Sequence, residues 1–254
     1  MLARLKWLTF LSLDAPLVAT TWQALFAKEH AVNLRWYHSL IVFLSVWLGY
    51  AADRWCDNLK GGRPASEQHQ FYAKHRTSVL AIWLLALAVA VTLAFSYLSK
   101  SELAHGFALM GLALAYTLFA QNGRRIRYYA FLKSVFTALL VLASSLLFLP
   151  IEPSPYLSAI CVWMLFASNC LFIRSWTHEG EEKSALQATG LAAAVILVSV
   201  SALWARDSQT AIATLIAQCA ILALHIARGR IGSMTLRTAA DICLLSPWII
   251  LLFP

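Results

Sequence analysis

Two aspartates one helical turn apart are the residues of this sequence whose types and spacing most clearly suggest chemistry. Asp53 and Asp57 lie in the stretch GYAADRWCDNLKGGRP, where an apolar run that starts near Trp36 gives way to a polar loop. Residues four apart share a helix face, so the two carboxylates would repel each other unless a bound cation neutralised their charges. Mg²⁺ is commonly held by one or two carboxylates with water and substrate phosphates. The same spacing also fits a solvated helix end with ordinary surface charges.

Basic residues around the aspartates suit a phosphate-bearing ligand. Lys60 and Arg63 flank two glycines, which let a backbone approach a ligand closely. A second basic group, including Arg124 and Arg125, follows the fourth apolar run, and anchoring at the membrane surface explains it as well. Lys133 lies inside the fifth run, where a charge costs about 2.5–3.5 kcal/mol at mid-depth. We expect Lys133 either to snorkel to the surface or to face a polar cavity that holds an anion.

The elements that must position these side chains are membrane-spanning helices. The chain has 254 residues, of which 60% are hydrophobic and 13% charged. Continuous apolar runs of roughly the 20 residues that a span needs recur along it, which excludes a β-barrel. We predict an all-α polytopic transmembrane bundle, with residues 1–254 as one membrane-embedded domain of two halves, roughly 1–120 and 124–254. We predict about nine spans, at 15–27, 36–53, 78–98, 103–120, 128–149, 155–173, 185–204, 210–227 and 236–253.

The distribution of positive charge predicts which side of the membrane each loop faces. With nine spans and a cytosolic N-terminus, only four of the 20 Lys and Arg residues lie outside, namely Lys28, Arg35, Lys100 and Arg206. The positive-inside rule then places the polar loops after spans two and six on the cytosolic side of a cell inner membrane or its equivalent. The net charge of +8 therefore reflects the excess of Lys and Arg in the loops predicted to face the cytosol. Nucleic-acid binding is not expected, because the basic loops are short and no recognition module is present.

The residues described so far resemble the UbiA superfamily of intramembrane prenyltransferases, over about residues 10 to 190. Leu13-Asp14-Ala15-Pro16 is similar to the L-D-x-P sequence of that family's first helix. Asp53 and Asp57 match the last two acids of its N-D-x-x-D-x-x-x-D motif. Arg63-Pro64 resembles the R-P pair that follows this motif. The resemblance implies nine transmembrane helices with two Asp-rich motifs on the cytosolic side, after helices two and six.

Further matches and departures lie later in the chain. Tyr116 with Arg124 and Arg125 resembles the tyrosine and basic pair after the family's fourth helix, and His178-Glu179-Gly180-Glu181 resembles the end of its second motif. Departures occur in both motifs, where Gly49, Tyr50, Arg174 and Thr177 replace polar or acidic residues of the family pattern. The second acidic site is therefore weakened.

The resemblance implies an enzyme that transfers an isoprenyl chain from a polyprenyl diphosphate to a small aromatic or lipid acceptor, with Mg²⁺ as cofactor. The charge that grows on the departing diphosphate would be neutralised by the metal and by Arg and Lys side chains. The implied catalytic residues are Asp53, Asp57, Tyr116 and Lys133. The implied metal ligands are Asp53, Asp57, Glu179 and Glu181. The implied substrate-binding residues are Lys60, Arg63, Arg124, Arg125, Asn169, His178 and Lys183.

Other interpretations of the same residues stay open. The weakened second motif also fits a degenerate homologue that binds a prenyl lipid or a membrane partner without catalysis. Glu179 and Glu181 also fit a plain solvated loop. Asn169 can simply hydrogen-bond a neighbouring helix. Arg237 and Asp241, four residues apart, are expected to pair on one helix face.

Overall fold

The computed structural model describes residues 7, 9–59, 74–122, 128–149, 156–177, 182–205 and 209–252. These ranges are helical with short connections and contain no strand, so the predicted all-α class is confirmed. The helices are α1 (Asp14–Glu29), α2 (Trp36–Leu59), α3 (Arg76–Tyr97), α4 (Lys100–Asn122), α5 (Tyr129–Leu146), α6 (Tyr156–Thr177), α7 (Glu182–Ala205), α8 (Gln209–Ala227), α9 (Ser233–Cys243) and α10 (Pro247–Leu252).

Seven of the described segments are long and apolar enough to cross a membrane. They are α3, α4, α5, α6, α7, α8 and the segment Ser233–Leu252, which contains α9 and α10. The chain is therefore described as an integral membrane protein. α1 has only 16 residues, and α2 is long enough but carries polar residues at both ends. The count of nine spans and the cytosolic N-terminus stay predictions.

The main apolar core lies where α1 and α6 pack among α5, α7, α8 and the end of α9. Trp22, Phe26, Phe166 and Phe172 are among its fully or almost fully buried side chains. The Trp22 ring meets Phe166 edge-on, with the ring centroids 5.7 Å apart. α1 has 16 residues and only modest hydropathy, and many of its side chains are buried against other helices. A helix in that position does not need the uniformly apolar surface that lipid demands.

The last transmembrane segment is broken between α9 and α10, and Pro247 explains the break. Proline has no N–H to continue the helix, and the Ser246 and Trp248 amides instead donate to the carbonyls three residues earlier, those of Cys243 and Leu245. The Leu244 carbonyl is then free to accept a 2.8 Å hydrogen bond from the indole N–H of Trp22 in α1. A polar backbone group inside the bundle is thereby satisfied by a side chain of another helix.

α3 and α4 form a hairpin on the outside of the bundle, with a tight turn but few contacts between the two helices. Glu102 accepts 2.7 Å hydrogen bonds from both the amide and the hydroxyl of Ser99, and Ser99 Oγ accepts from the Glu102 amide, so the turn is a capping box. The other carboxylate oxygen of Glu102 lies 3.2 Å from His38 Nε2 on α2. Large apolar side chains such as Leu85 and Leu118, each 65% exposed, cover the outer faces of the hairpin. Such faces are suited to contact with lipid.

Candidate functional site

Four side chains that the sequence predicts to be functional lie in the described part of the chain: Asp53, Tyr116, Lys133 and Asn169. For two others, Asp57 and Lys183, the helical backbone is described and the side chain is not. The remaining predicted site residues lie outside the described residues and are Lys60, Arg63, Arg124, Arg125, His178, Glu179 and Glu181. The structure therefore describes one wall of the predicted site.

The Tyr116 hydroxyl on α4 is held by Thr137 on α5, one turn after Lys133. The Tyr116 hydroxyl lies 2.7 Å from Thr137 Oγ1, and Thr137 Oγ1 donates a 2.8 Å hydrogen bond to the Lys133 carbonyl. Because threonine has a single hydroxyl hydrogen, Tyr116 must be the donor to Thr137. The phenolic oxygen of Tyr116 therefore keeps its lone pairs for another partner. One turn later in α4, the Ala120 carbonyl accepts from the Tyr129 hydroxyl at 2.6 Å, so α4 and α5 are held in register at this end.

Asp53 approaches this pair from α2. Its side chain is half-buried and interacts electrostatically with Tyr116. Asp53 Oδ1 is shielded from solvent and has no hydrogen-bond partner among the described residues. A buried carboxylate oxygen without a partner is unfavourable, so its position suits a ligand or a cation.

Asn169 extends the same region towards α9. Its side chain is 3% exposed, and Nδ2 donates a 3.4 Å hydrogen bond to Asp241 Oδ1. The expectation that Asn169 bonds to a neighbouring helix is therefore confirmed. Asn169 Oδ1 has no partner among the described residues. The adjacent Cys170 interacts electrostatically with Lys133, Arg237 and Asp241, which connects α5, α6 and α9.

Arg237 and Asp241 interact electrostatically, as their spacing suggests, but they do not form a close ion pair. Both residues are described, and the structure has no contact between them short enough for an ion pair. The Asp241 carboxyl group also interacts with the Asp14 carboxyl group, on α1. Arg237 Nε is shielded from solvent and has no partner among the described residues. Spacing along one helix indicated the interaction of Arg237 with Asp241, and packing between α1, α6 and α9 adds Asp14 and Asn169 as partners of Asp241.

Sequence reasoning therefore missed a group that we call the inner polar cluster, consisting of Asp14, Asn169, Arg237 and Asp241. Tyr50 and Arg54 on α2 lie beside it, since both interact electrostatically with Asp14 or Arg237. The available signal was charge at span positions, because ionisable residues within a membrane are costly and usually functional. What the sequence could not indicate is that residues 14, 169 and 241 meet.

A small cavity opens beside this cluster. Asp14 and Asp241 line it together with Thr9 and Thr238, whose hydroxyl oxygens are 3.3 Å apart. The remaining walls are apolar and consist of Leu17, Ile242 and Leu245. Asp241 lines this cavity, whereas Asn169 and Arg237 are not among its lining residues. The accessible volume of this cavity is about 10 Å³, which is room for about one water molecule.

The residues present are compatible with the implied Mg²⁺. The unpartnered oxygen of Asp53 is the hard carboxylate donor that Mg²⁺ prefers. Within the described residues no three or more His, Cys, Asp and Glu side chains converge as a ready-made metal site. The side chains of the other implied ligands, Asp57, Glu179 and Glu181, lie outside that part of the chain.

Comparisons of the chain with protein-family models, curated proteins and solved structures find no match. The class that the described residues define is therefore an all-α membrane protein with a polar site at one end of its helix bundle. Any narrower assignment depends on the residues of that site.

Proposed function

We propose that this chain is an intramembrane prenyltransferase that moves an isoprenyl group from a polyprenyl diphosphate to a small acceptor. One observation carries the proposal. Asp53, Tyr116 and Lys133, named from the sequence as site residues, lie near one another on three helices, because Tyr116 interacts electrostatically with Asp53 and with Cys170, and Cys170 interacts with Lys133. Asn169, also named from the sequence, precedes Cys170 in α6. Unrelated surface charges would have no reason to converge inside a membrane protein. The sequence resemblance to the UbiA superfamily supports the same function.

In this proposal the basic residues bind the diphosphate. Lys133 supplies a positive charge on the inner wall, and Arg63, Arg124 and Arg125 supply guanidinium groups from the loops. Arginine and lysine are suited to phosphate oxygens and stabilise the negative charge of the leaving group. The isoprenyl chain lies against the apolar helix faces, where water is excluded.

Asp53 and Asp57 would hold Mg²⁺. When bound, the metal would supply charge neutralisation for the diphosphate. Tyr116 contributes an oxygen whose lone pairs remain free beside Asp53, and its ring offers a polarisable face to a positively charged allylic group. Thr137 fixes the direction of the Tyr116 hydroxyl, so its role is positioning.

The testing experiment measures diphosphate release from a panel of prenyl diphosphates by the protein in lipid. We expect Asp53→Asn and Asp57→Asn each to reduce release by at least about 100-fold, since a ligand to charge-stabilising machinery is lost. Asp207→Asn, which removes a carboxylate from a loop predicted to face the other side, should have normal release. Unchanged release by both site variants would refute the metal assignment.

A second candidate, a non-catalytic homologue that binds a prenyl lipid, is favoured by one observation. In the alignment that ends the second motif at Glu181, Thr177 stands where the family has an acidic residue, and the Thr177 hydroxyl donates a 2.9 Å hydrogen bond to the Ile173 carbonyl of its own helix. The Thr177 hydroxyl is therefore hydrogen-bonded to the backbone of α6 and does not supply the carboxylate that a second metal-binding motif needs. The alternative register places His178 at that position. Donor binding without release, in the presence of Mg²⁺ and a panel of acceptors, would favour this candidate over the enzyme.

A further inference from the structure

A basic turn joins α8 to α9, at the end of the bundle that the distribution of charge predicts to be cytosolic. It is the 3₁₀ turn Arg228–Arg230, and both arginines are exposed. In the part of the chain that the structure describes, neither has an acidic partner within ion-pair distance. The two positive charges are therefore available to a negatively charged molecule outside the bundle.

Contacts between α6 and α8 fix the position of this turn. The Trp176 indole N–H donates a 3.1 Å hydrogen bond to His225 Nδ1, and the two rings stack, so the ends of α6 and α8 are held together. Arg228 Nη1 in turn donates a 2.9 Å hydrogen bond to the His225 carbonyl. A guanidinium group has five N–H donors, so this bond orients Arg228 and leaves donors for phosphate oxygens.

The exposed side of α8 leads along the chain to these arginines. Ile216, Cys219, Ala223 and Ile226 recur every three or four residues and are all exposed, with Ile226 at 83%. The candidate span that contains them ends at Arg230, so the basic turn lies at the depth of the lipid head groups. From Ile216 to Ile226 the exposed stripe is about 15 Å long, which is about the thickness of one leaflet of the hydrocarbon core.

This combination of charge and apolar length limits what the partner can be. A free phosphate would meet the arginines and leave the stripe unused. A zwitterionic lipid would cover the stripe but bring its own positive charge towards the arginines. A phospholipid with a net negative head group uses both features, and basic clusters at the cytosolic surface of membrane proteins are typical sites for such lipids.

We propose that Arg228 and Arg230 bind an anionic phospholipid of the predicted cytosolic leaflet. The lipid phosphate contacts the two guanidinium groups, and one acyl chain lies along the stripe from Ile216 to Ile226. Because α9 begins directly after the turn, a lipid bound here also stabilises the junction of α8 with α9. The site uses none of the residues assigned to the diphosphate and does not depend on the proposed enzyme function.

The experiment counts bound lipid by native mass spectrometry. Delipidated protein in detergent micelles is given equal amounts of phosphatidylglycerol and phosphatidylcholine with the same acyl chains. We expect phosphatidylglycerol to bind at least about tenfold more tightly, since each basic residue close to an anionic lipid strengthens binding several-fold. Glycerophosphoglycerol, which has the same head group without acyl chains, should not displace the lipid at equal concentration.

Paired substitutions assign the preference to the basic turn. Arg228→Gln with Arg230→Gln removes both charges and should reduce the preference for phosphatidylglycerol to about twofold or less. Arg228→Lys with Arg230→Lys keeps the charges without the planar fork of arginine and should keep part of the preference. Arg35→Gln with Lys100→Gln is the matched control, because it also removes two exposed positive charges, from loops predicted to face the other side. It should keep the full preference.

The outcomes separate this proposal from the enzyme proposal. Equal binding of the two lipids by the native protein, or a preference that survives Arg228→Gln with Arg230→Gln, overturns the lipid site. An equal loss of preference in the control pair also overturns it, because total charge would then explain the binding. Thermal unfolding confirms that each variant is folded before its lipid binding is compared. Diphosphate release is a separate measurement, so the lipid site can fail while the enzyme assignment stands, and the reverse.

Discussion

Lys133 places a positive charge on a transmembrane helix, which has a free-energy cost. A cation on a transmembrane helix is unfavourable by about 2.5–3.5 kcal/mol at mid-depth, and this one lies in the second turn of α5 beside Cys170. If Lys133 bound nothing, a neutral side chain would stabilise the bundle. In the proposed enzyme, binding of the anionic diphosphate would offset that cost.

We therefore predict opposite effects of Lys133→Met on binding and on stability. Methionine matches the shape of the lysine stem without its charge, so the KM for a prenyl diphosphate should rise at least about tenfold, as expected when one charge-assisted hydrogen bond is lost. Resistance to unfolding should stay equal or increase. Lys133→Arg is the control, because it keeps the charge and should keep KM within about threefold. Normal KM for Lys133→Met in steady-state release assays would remove Lys133 from the donor site.

At the scale of elements, the Pro247 break makes α1 and the last transmembrane segment depend on each other. We predict that Trp22→Phe destabilises the protein by about 1–3 kcal/mol more than Trp163→Phe. Both changes remove an indole N–H that donates to a backbone carbonyl, at 2.8 Å to Leu244 and at 3.1 Å to Val135. Val135 lies mid-helix and keeps its bond within α5, whereas Leu244 lies at the break.

The measurement for this pair is unfolding in mixed micelles of rising denaturing-detergent content, followed by far-ultraviolet circular dichroism. A smaller or equal effect of Trp22→Phe would mean that the Leu244 carbonyl finds another partner when the indole N–H is removed. The Trp22 bond would then be dispensable for the junction between α1, α9 and α10.

The positions of the helices along the chain could be predicted from the sequence. Which helices pack against one another could not. Eight of the predicted spans each coincide with one helix of the structure, and the ninth, 236–253, covers the broken pair α9 and α10. An apolar run of about 20 residues has few other ways to satisfy its backbone in lipid. The break before Pro247 was missed because proline is tolerated near helix ends. The meeting of Asp14, Asn169 and Asp241 was also missed, since Asn169 and Asp241 are 72 positions apart. Apolar periodicity carries no information on such pairings.

The whole molecule poses one question about topology, which is whether α1 and α2 cross the membrane. By apolar length alone seven segments qualify, and α1 and α2 do not. Packing argues for crossing, because α1 contacts α2, α5, α8, α9 and α10 and has Trp22, Leu25 and Phe26 fully buried. A helix enclosed by membrane-spanning neighbours shares their depth, and its modest hydropathy reflects contact with protein.

The connection between α1 and α2 distinguishes the two topologies. In a nine-span protein the exposed Asn33 faces the same side as Ser208, and Ser66 faces the opposite side. In a seven-span protein Asn33 would share a side with Ser66, since α1 and α2 would not cross. We predict that Asn33→Cys and Ser208→Cys, in a background without the five native cysteines, react with a membrane-impermeant maleimide from the outside, and that Ser66→Cys reacts only after the membrane is opened. If Asn33→Cys reacts only after the membrane is opened, as Ser66→Cys does, then α1 and α2 do not cross the membrane and the bundle has seven spans. That result would also leave the charges of Asp14 and Asp53 to be explained without α1 and α2 crossing the membrane.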